Sequence, residues 1–160
     1  MPKFVVYTDG GCRGNGKSDA VGAWAFIVYD YQGKRIGSKS DWQIGCTNNQ
    51  MEMAAVRQAL SWANKHGYQI EIYIDSNFVK QGCESWLWSW AKKNWRKSDG
   101  EVVLNKELWQ QIHKELSAYM DKHREIPTFV KVKGHSGDPQ NDEVDNLCNV
   151  RMTEAEMEMM

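Results

Sequence analysis

Three strand-like runs stand end to end in the first 43 residues, and only afterwards do helices and strands alternate. Lys3 to Thr8 is apolar and β-branched and stops at Asp9-Gly10-Gly11, a turn signature. GAWAFIVYD at 22–30 is the second run, and Tyr31-Gln32-Gly33-Lys34 turns it back into a third at 35–43. TNNQMEMAAVRQALSWANKHG reads as a helix, with Asn48 or Asn49 as its cap and Gly67 as its stop. A strand follows at 70–75 (IEIYID), then short helices at 76–82 and 84–91 and a longer one at 105–123. A strand at 131–133 (KVK) and a helix opened by Asp138-Pro139 complete the order. Consecutive strands followed by alternation predict an α/β domain, a mixed sheet with helices packed on it. The 160 residues suffice for one such domain and are too few for two. The domain is expected to occupy 1–152, leaving the acidic, Met-rich residues 153–160 to fray.

No apolar run approaches the roughly 20 residues that span a bilayer, and the opening MPKFVVYTDGG lacks the layout of a signal peptide. No membrane partner is expected, and the cytoplasm is the expected location. Cys12, Cys46, Cys83 and Cys148 are far apart and form no CxxC pair, which favours free thiols over a zinc site or a disulfide framework. The net charge of −1 argues against a protein basic all over. It does not exclude nucleic acid, because a local basic patch is enough to hold phosphates.

Four acids stand at element ends: Asp9 and Asp75 after strands, Glu52 in the first turn of the first long helix, and Asp145 in the second turn of the last. Each has an ordinary explanation. Asp9 could open a turn, Asp75 could cap a helix, Glu52 could close a capping box with Asn49, and Asp145 could be a solvated acid near a helix N-terminus. Their facing weakens those explanations, since Glu52 shares its helical stripe with Val56, Ala59 and Ala63, the side expected to be buried. Asp145 lines up with Cys148 in the same way. If the strands before Asp9 and Asp75 are parallel neighbours, both carboxylates emerge at one sheet edge about 5 Å apart. Two such charges repel by roughly 3 kcal/mol at an effective dielectric near 20. Protons or divalent cations must then occupy the site, and an all-oxygen set favours Mg²⁺ or Mn²⁺ over zinc. Two Mg²⁺ about 4 Å apart clamp the entering and leaving oxygens of an in-line phosphoryl displacement. The chemistry inferred is metal-dependent hydrolysis of a phosphodiester.

YTDGG, TNNQMEMAA, IDSNFV and KGHSGDPQNDEVDNL resemble, in order and spacing, the four signature segments of the type 1 ribonuclease H family. The resemblance spans roughly 4–152. It implies the ribonuclease H-like fold, with a five-stranded mixed sheet in the order 3-2-1-4-5 flanked by helices. It implies an endoribonuclease that cuts the RNA strand of an RNA–DNA hybrid by a two-metal mechanism, leaving 5′-phosphate and 3′-hydroxyl ends. The metal ligands would be Asp9, Glu52, Asp75 and Asp145, holding two Mg²⁺ with substrate, with Mn²⁺ as a substitute, and His135 would assist. An imidazole in a Gly- and Asp-rich loop beside such a cluster suits a proton shuttle near neutral pH. A monomer is expected.

The hybrid needs its own contacts. ESWLWSWAKKNWRKSDG interleaves Trp86, Trp88, Trp90 and Trp95 with Lys92, Lys93, Arg96 and Lys97. This is either an amphipathic helix with a tryptophan face and a solvated basic face, or a basic protrusion similar to that of many family members, with phosphates as its partner. The resemblance further assigns Trp86 to DNA-strand sugars and Thr47 and Asn105 to a pocket for a DNA phosphate. Cys12, Asn15, Asn48, Asn49 and Asn77 match positions near the RNA backbone and its 2′-hydroxyls, the groups that distinguish RNA from DNA. Two departures stand out: the loop GNGKSDAVG replaces a Pro/Gly-rich one, and Gly45 stands where some relatives place an arginine. The competing readings are a catalytically silent hybrid-binding module and a DNA nuclease of related fold. All four acids are present, which opposes the first, and the protrusion and 2′-hydroxyl positions oppose the second.

Overall fold

The second strand explains the architecture, because VGAWAFIVY is buried along its whole length and therefore needs cover on both faces. Trp24, Phe26 and Val28 join one core, beneath helices of the central part of the chain, while Ala23, Ala25, Ile27 and Tyr29 join a second core under the last helix. A computed structural model describes residues 3–133 and 138–160. The strands are β1 (Phe4–Arg13), β2 (Val21–Tyr29), β3 (Arg35–Ile44), β4 (Ile70–Ile74) and β5 (Thr128–Lys131). The helices are α1 (Asn48–His66), α2 (Asn77–Gln81), α3 (Leu87–Lys92), α4 (Lys106–His123) and α5 (Pro139–Glu158), and a π-helical turn, Gly82–Trp86, joins α2 to α3. The sheet order is β3-β2-β1-β4-β5, as expected. β2 runs antiparallel to β1 and β3, and β4 is parallel to β1 and β5.

Several boundaries differ from those expected, each for a reason in the pairing. β1 does not stop at Thr8: its ladder with β2 continues from Val5↔Tyr29 to Arg13↔Val21, whereas its ladder with β4 ends at Tyr7↔Tyr73. One side of β1 is thus open beyond Tyr7. β5 begins before 131–133 and shares only Lys131 with it, because its parallel register with β4 runs from Glu71↔Thr128 to Ile74↔Lys131. α1 is capped by Thr47, not Asn48 or Asn49, through a capping box with Gln50, which moves Glu52 into the second turn. Residues 153–158 do not fray but continue α5. Ala155 is fully buried, and Arg13 pairs with Glu156 and donates to Thr153 Oγ1 at 3.3 Å. Among the described residues no helix is long and apolar enough to cross a membrane.

Candidate active site

The open side of β1 is where the acids meet. Asp9 lies two residues past Tyr7 and Asp75 two past Tyr73, so the parallel register sets them side by side at the edge. Glu52 reaches them because α1 lies directly on the β1 backbone at Gly10. A Cβ there would overlap the Met51 carbonyl and the Glu52 amide nitrogen, so only glycine permits the approach. One carboxylate oxygen each from Asp9, Glu52 and Asp75 lie within 4.8 Å of one another. Asp145, half-buried on the second turn of α5, stands outside that group of three but close enough to Asp9 to raise its carboxyl. Neighbouring Cys148 is buried and donates its thiol to the Asp9 carbonyl at 3.4 Å.

Burial makes this grouping costly. Asp9 is 8% exposed and Glu52 9%. Burial first, then the charge of Asp75 and the hydrogen bond and charge of Asp145, push the Asp9 carboxyl up to about 8, against a smaller opposing bond from the Gly10 backbone. Burial and the charges of Asp9 and Asp75 likewise hold Glu52 well above the carboxylate range. Glu52 Oε2 is buried without a hydrogen-bond partner among the described residues. An orphaned carboxylate oxygen in an all-oxygen group that resists ionising alone suits a hard divalent cation such as Mg²⁺ or Mn²⁺. The residues fit the metal.

Beside the acids, the N-termini of α1 and α4 enclose a cavity of about 390 Å³ lined by Asn15, Thr47, Asn48, Asn49, Gln50, Leu104 and Asn105. Five of the expected contact residues therefore line one cavity. Sequence reasoning missed Gln50, although the T-x-x-Q capping signature starting at Thr47 was there to be read. Cys12 sits further along β1, its thiol donating to the Cys46 carbonyl at 3.1 Å, and Asn77 is exposed at the first position of α2, two residues after Asp75.

The basic segment is not one amphipathic helix. α3 ends at Lys92, Asn94 and Trp95 take left-handed conformations (φ 55° and 61°), and Arg96 pairs with Val102 in a short hairpin. The tryptophans form its underside. Trp86 and Trp90 lie 6.1 Å apart, Trp90 meets buried Trp109 at 5.7 Å, and Trp95 sits edge-on to His113 at 5.7 Å. Lys92, Lys93, Arg96 and Lys97 are exposed. Arg96 donates to the Gly100 carbonyl at 3.0 Å and Lys97 lies 3.9 Å from Asp99. His135 lies outside the described residues. Asp138, close after it, caps α5 and accepts a 3.1 Å hydrogen bond from the Tyr7 hydroxyl.

Fold and site together define a class: a mixed-sheet α/β domain with a buried carboxylate group at the sheet edge, suited to divalent-metal chemistry. Comparison with known proteins makes the class specific. A family model described as RNase H matches residues 1–152. The chain is 39% identical over 157 residues to a Ribonuclease H of Hahella chejuensis, covering 97% of each chain. It superposes on the PFV RNase H domain with a TM-score of 0.81 at 20% identity, covering 96% of each chain. On LC11-RNase H1 in complex with an RNA/DNA hybrid the TM-score is 0.69 at 21% identity, covering 96% of this chain and 99% of that one. The chain belongs to the RNase H family.

Proposed function

We propose that the chain is an endoribonuclease that hydrolyses the RNA strand of RNA–DNA hybrids with two Mg²⁺ ions, leaving 5′-phosphate and 3′-hydroxyl ends. The observation that carries this reading is the group of Asp9, Glu52 and Asp75 within 4.8 Å at the sheet edge. Family membership and the hybrid-bound fold neighbour support the substrate.

Asp9, Glu52, Asp75 and Asp145 would hold the metal. Divalent cations bound there would supply an activated water and stabilise the leaving 3′-oxygen, with Mn²⁺ able to substitute for Mg²⁺. The remaining work belongs to side chains. Thr47 and Asn105 hold a DNA phosphate in the cavity, while Asn15, Asn48, Asn49, Cys12 and Asn77 line the RNA backbone. Trp86 packs on DNA sugars, and the exposed cations of the hairpin hold more distant phosphates. Such contacts to backbone and sugar read little base sequence. His135 moves a proton beside the acids without holding metal. The activity resides in 1–152 of a monomeric, cytoplasmic enzyme.

A single assay tests the reading. Labelled RNA–DNA hybrid, RNA duplex and DNA duplex are incubated with Mg²⁺ and with EDTA. Cleavage confined to the RNA strand of the hybrid and abolished by EDTA is expected. Binding without cleavage would make the chain a silent module, and cleavage of DNA duplex would reassign the substrate.

A further inference from the structure

An asparagine at a helix N-cap ordinarily turns its side-chain oxygen to the first amides of its own helix. Asn105 does not. It caps α4 in a left-handed conformation with no such bond. Its Oδ1 accepts instead from Gln50 Nε2 at 3.1 Å, across the cavity mouth. The other end of Gln50 is held by the α1 cap. Its Oε1 accepts from the Thr47 N–H at 3.0 Å, and its backbone N–H donates to Thr47 Oγ1 at 3.2 Å. Asn15 follows the same pattern, its Oδ1 accepting from the Asn48 N–H at 2.8 Å.

These bonds all consume acceptors. A side-chain amide has one oxygen that accepts and one nitrogen that only donates, and a hydroxyl carries a single proton to give. With Oδ1 of Asn15 and Asn105 and Oγ1 of Thr47 committed inside the protein, each residue's N–H or O–H is left for a ligand. Among the described residues none of these three donors is spent on another protein group. The first amides of α4, which lack a side-chain cap, have the same sign. Two helix N-termini and three uncommitted donors suit a ligand that only accepts, as a phosphodiester does.

We propose that Gln50 is a positioning residue that polarises the cavity, holding Asn105 and Thr47 as donors toward a phosphodiester of the hybrid. This rests on the reading of the cavity as a phosphate site. The capping box fixes which end of the Gln50 amide faces Asn105: with Oε1 engaged by Thr47, only Nε2 is left to reach across. A glutamate here would complete the same box but would have no N–H to offer Asn105.

The test uses hybrids carrying single uncharged methylphosphonate linkages at successive positions of the DNA strand. Binding is measured in EDTA, and KM and kcat with Mg²⁺ on the unmodified hybrid. The wild type should lose about tenfold or more in affinity at one linkage. Gln50→Met should bind the unmodified hybrid weaker by a similar factor and lose little more at that linkage. It should also raise KM while kcat stays within about twofold. Gln50→Glu keeps the capping box and so guards against a folding defect. It should show the same blunted discrimination at high salt, where its added charge is screened. If no linkage matters to the wild type, the phosphate reading falls and this proposal with it. If one linkage matters and both variants keep wild-type affinity and full discrimination there, the phosphate reading stands and the role of Gln50 is overturned.

Discussion

At the sheet edge like charges are buried together, whereas at the hairpin they are spread in water. Asp9 and Glu52 are under 10% exposed, and they are held by the β1–β2 ladder and by the contact of α1 with Gly10. Their repulsion is relieved only by protons or cations. Lys92, Lys93, Arg96 and Lys97 are exposed, and the hairpin rests mainly on the aromatic packing beneath them, with Arg96 adding a bond to the Gly100 carbonyl. The difference separates two kinds of functional charge. One is tied to stability as well as chemistry, and the other to binding alone.

The strongest way to break this contrast is Asp9→Asn. It keeps the shape and removes one charge from the group. Turnover should fall by at least about 10²–10³-fold, the scale of losing one charge-stabilising group in an active site. Hybrid affinity in EDTA should persist, and the metal-free protein should melt higher because repulsion is relieved. Single-turnover cleavage and thermal melts decide it, and near-normal turnover would remove Asp9 from the metal site.

His135 tests whether the chemistry stops at the four acids. If it shuttles a proton, His135→Ala should lower kcat by on the order of 10²–10⁴-fold, or less if its role is indirect. Mg²⁺ affinity and hybrid Kd should barely move. The pH–rate profile should lose an inflection near the unperturbed imidazole pKa of about 6.5. A variant that needs much more Mg²⁺ yet reaches the normal rate at saturation would place His135 in support of the metal site instead.

The hairpin sharpens the other side of the contrast. Replacing all four cations with Ala should weaken hybrid binding and leave kcat near normal. The log–log salt slope should flatten by up to about 0.7–0.9 for each phosphate that is no longer neutralised. Arg96 and Lys97 already engage Gly100 and Asp99, so Lys92→Ala with Lys93→Ala should account for most of the change. An unchanged slope in the quadruple variant would mean that these cations only solvate the surface.

How much of this was legible in the sequence varies with the range of the interactions involved. The sheet order followed from the family resemblance, and the meeting of Asp9 with Asp75 could be read because each ends a strand-like run. The depth of Asp9 could not be. Asp9-Gly10-Gly11 looks like a turn, and only pairing with β2 carries the strand on to Arg13. Gln50 was hidden by its neighbours, since two asparagines suggested the cap and drew attention from Thr47. The hairpin was obscured by left-handed backbone at Asn94 and Trp95, positions where no glycine signals it. The helical 153–158 depends on burial of Ala155 and on the pairing of Glu156 with Arg13. No local pattern reports partners that far apart in sequence.

The smallest predicted effect ties the buried group back to stability. Burial and its acidic neighbours raise Asp9 from the ordinary 3.8 to about 8, so between those values the folded protein holds a proton that the unfolded chain releases. The slope of unfolding free energy with pH follows protons bound by the unfolded state minus those bound by the folded state, and is therefore negative in this window. Stability from this source is complete below about pH 4 and lost as pH rises through about 8, the reverse of an ordinary salt-bridged carboxylate. In EDTA the melting temperature should fall from pH 5.5 to 8.5 by on the order of 5–10 °C, since each pH unit below the folded value is worth about 1.4 kcal/mol and each kcal/mol about 2–4 °C for a chain of this size. Saturating Mg²⁺ should remove most of the fall, because a cation then does what the proton did. Asp9→Asn should flatten the dependence without metal. If the wild type in EDTA grows more stable across the same range, the carboxylates are not sharing protons, and the buried group is less strained than its geometry implies.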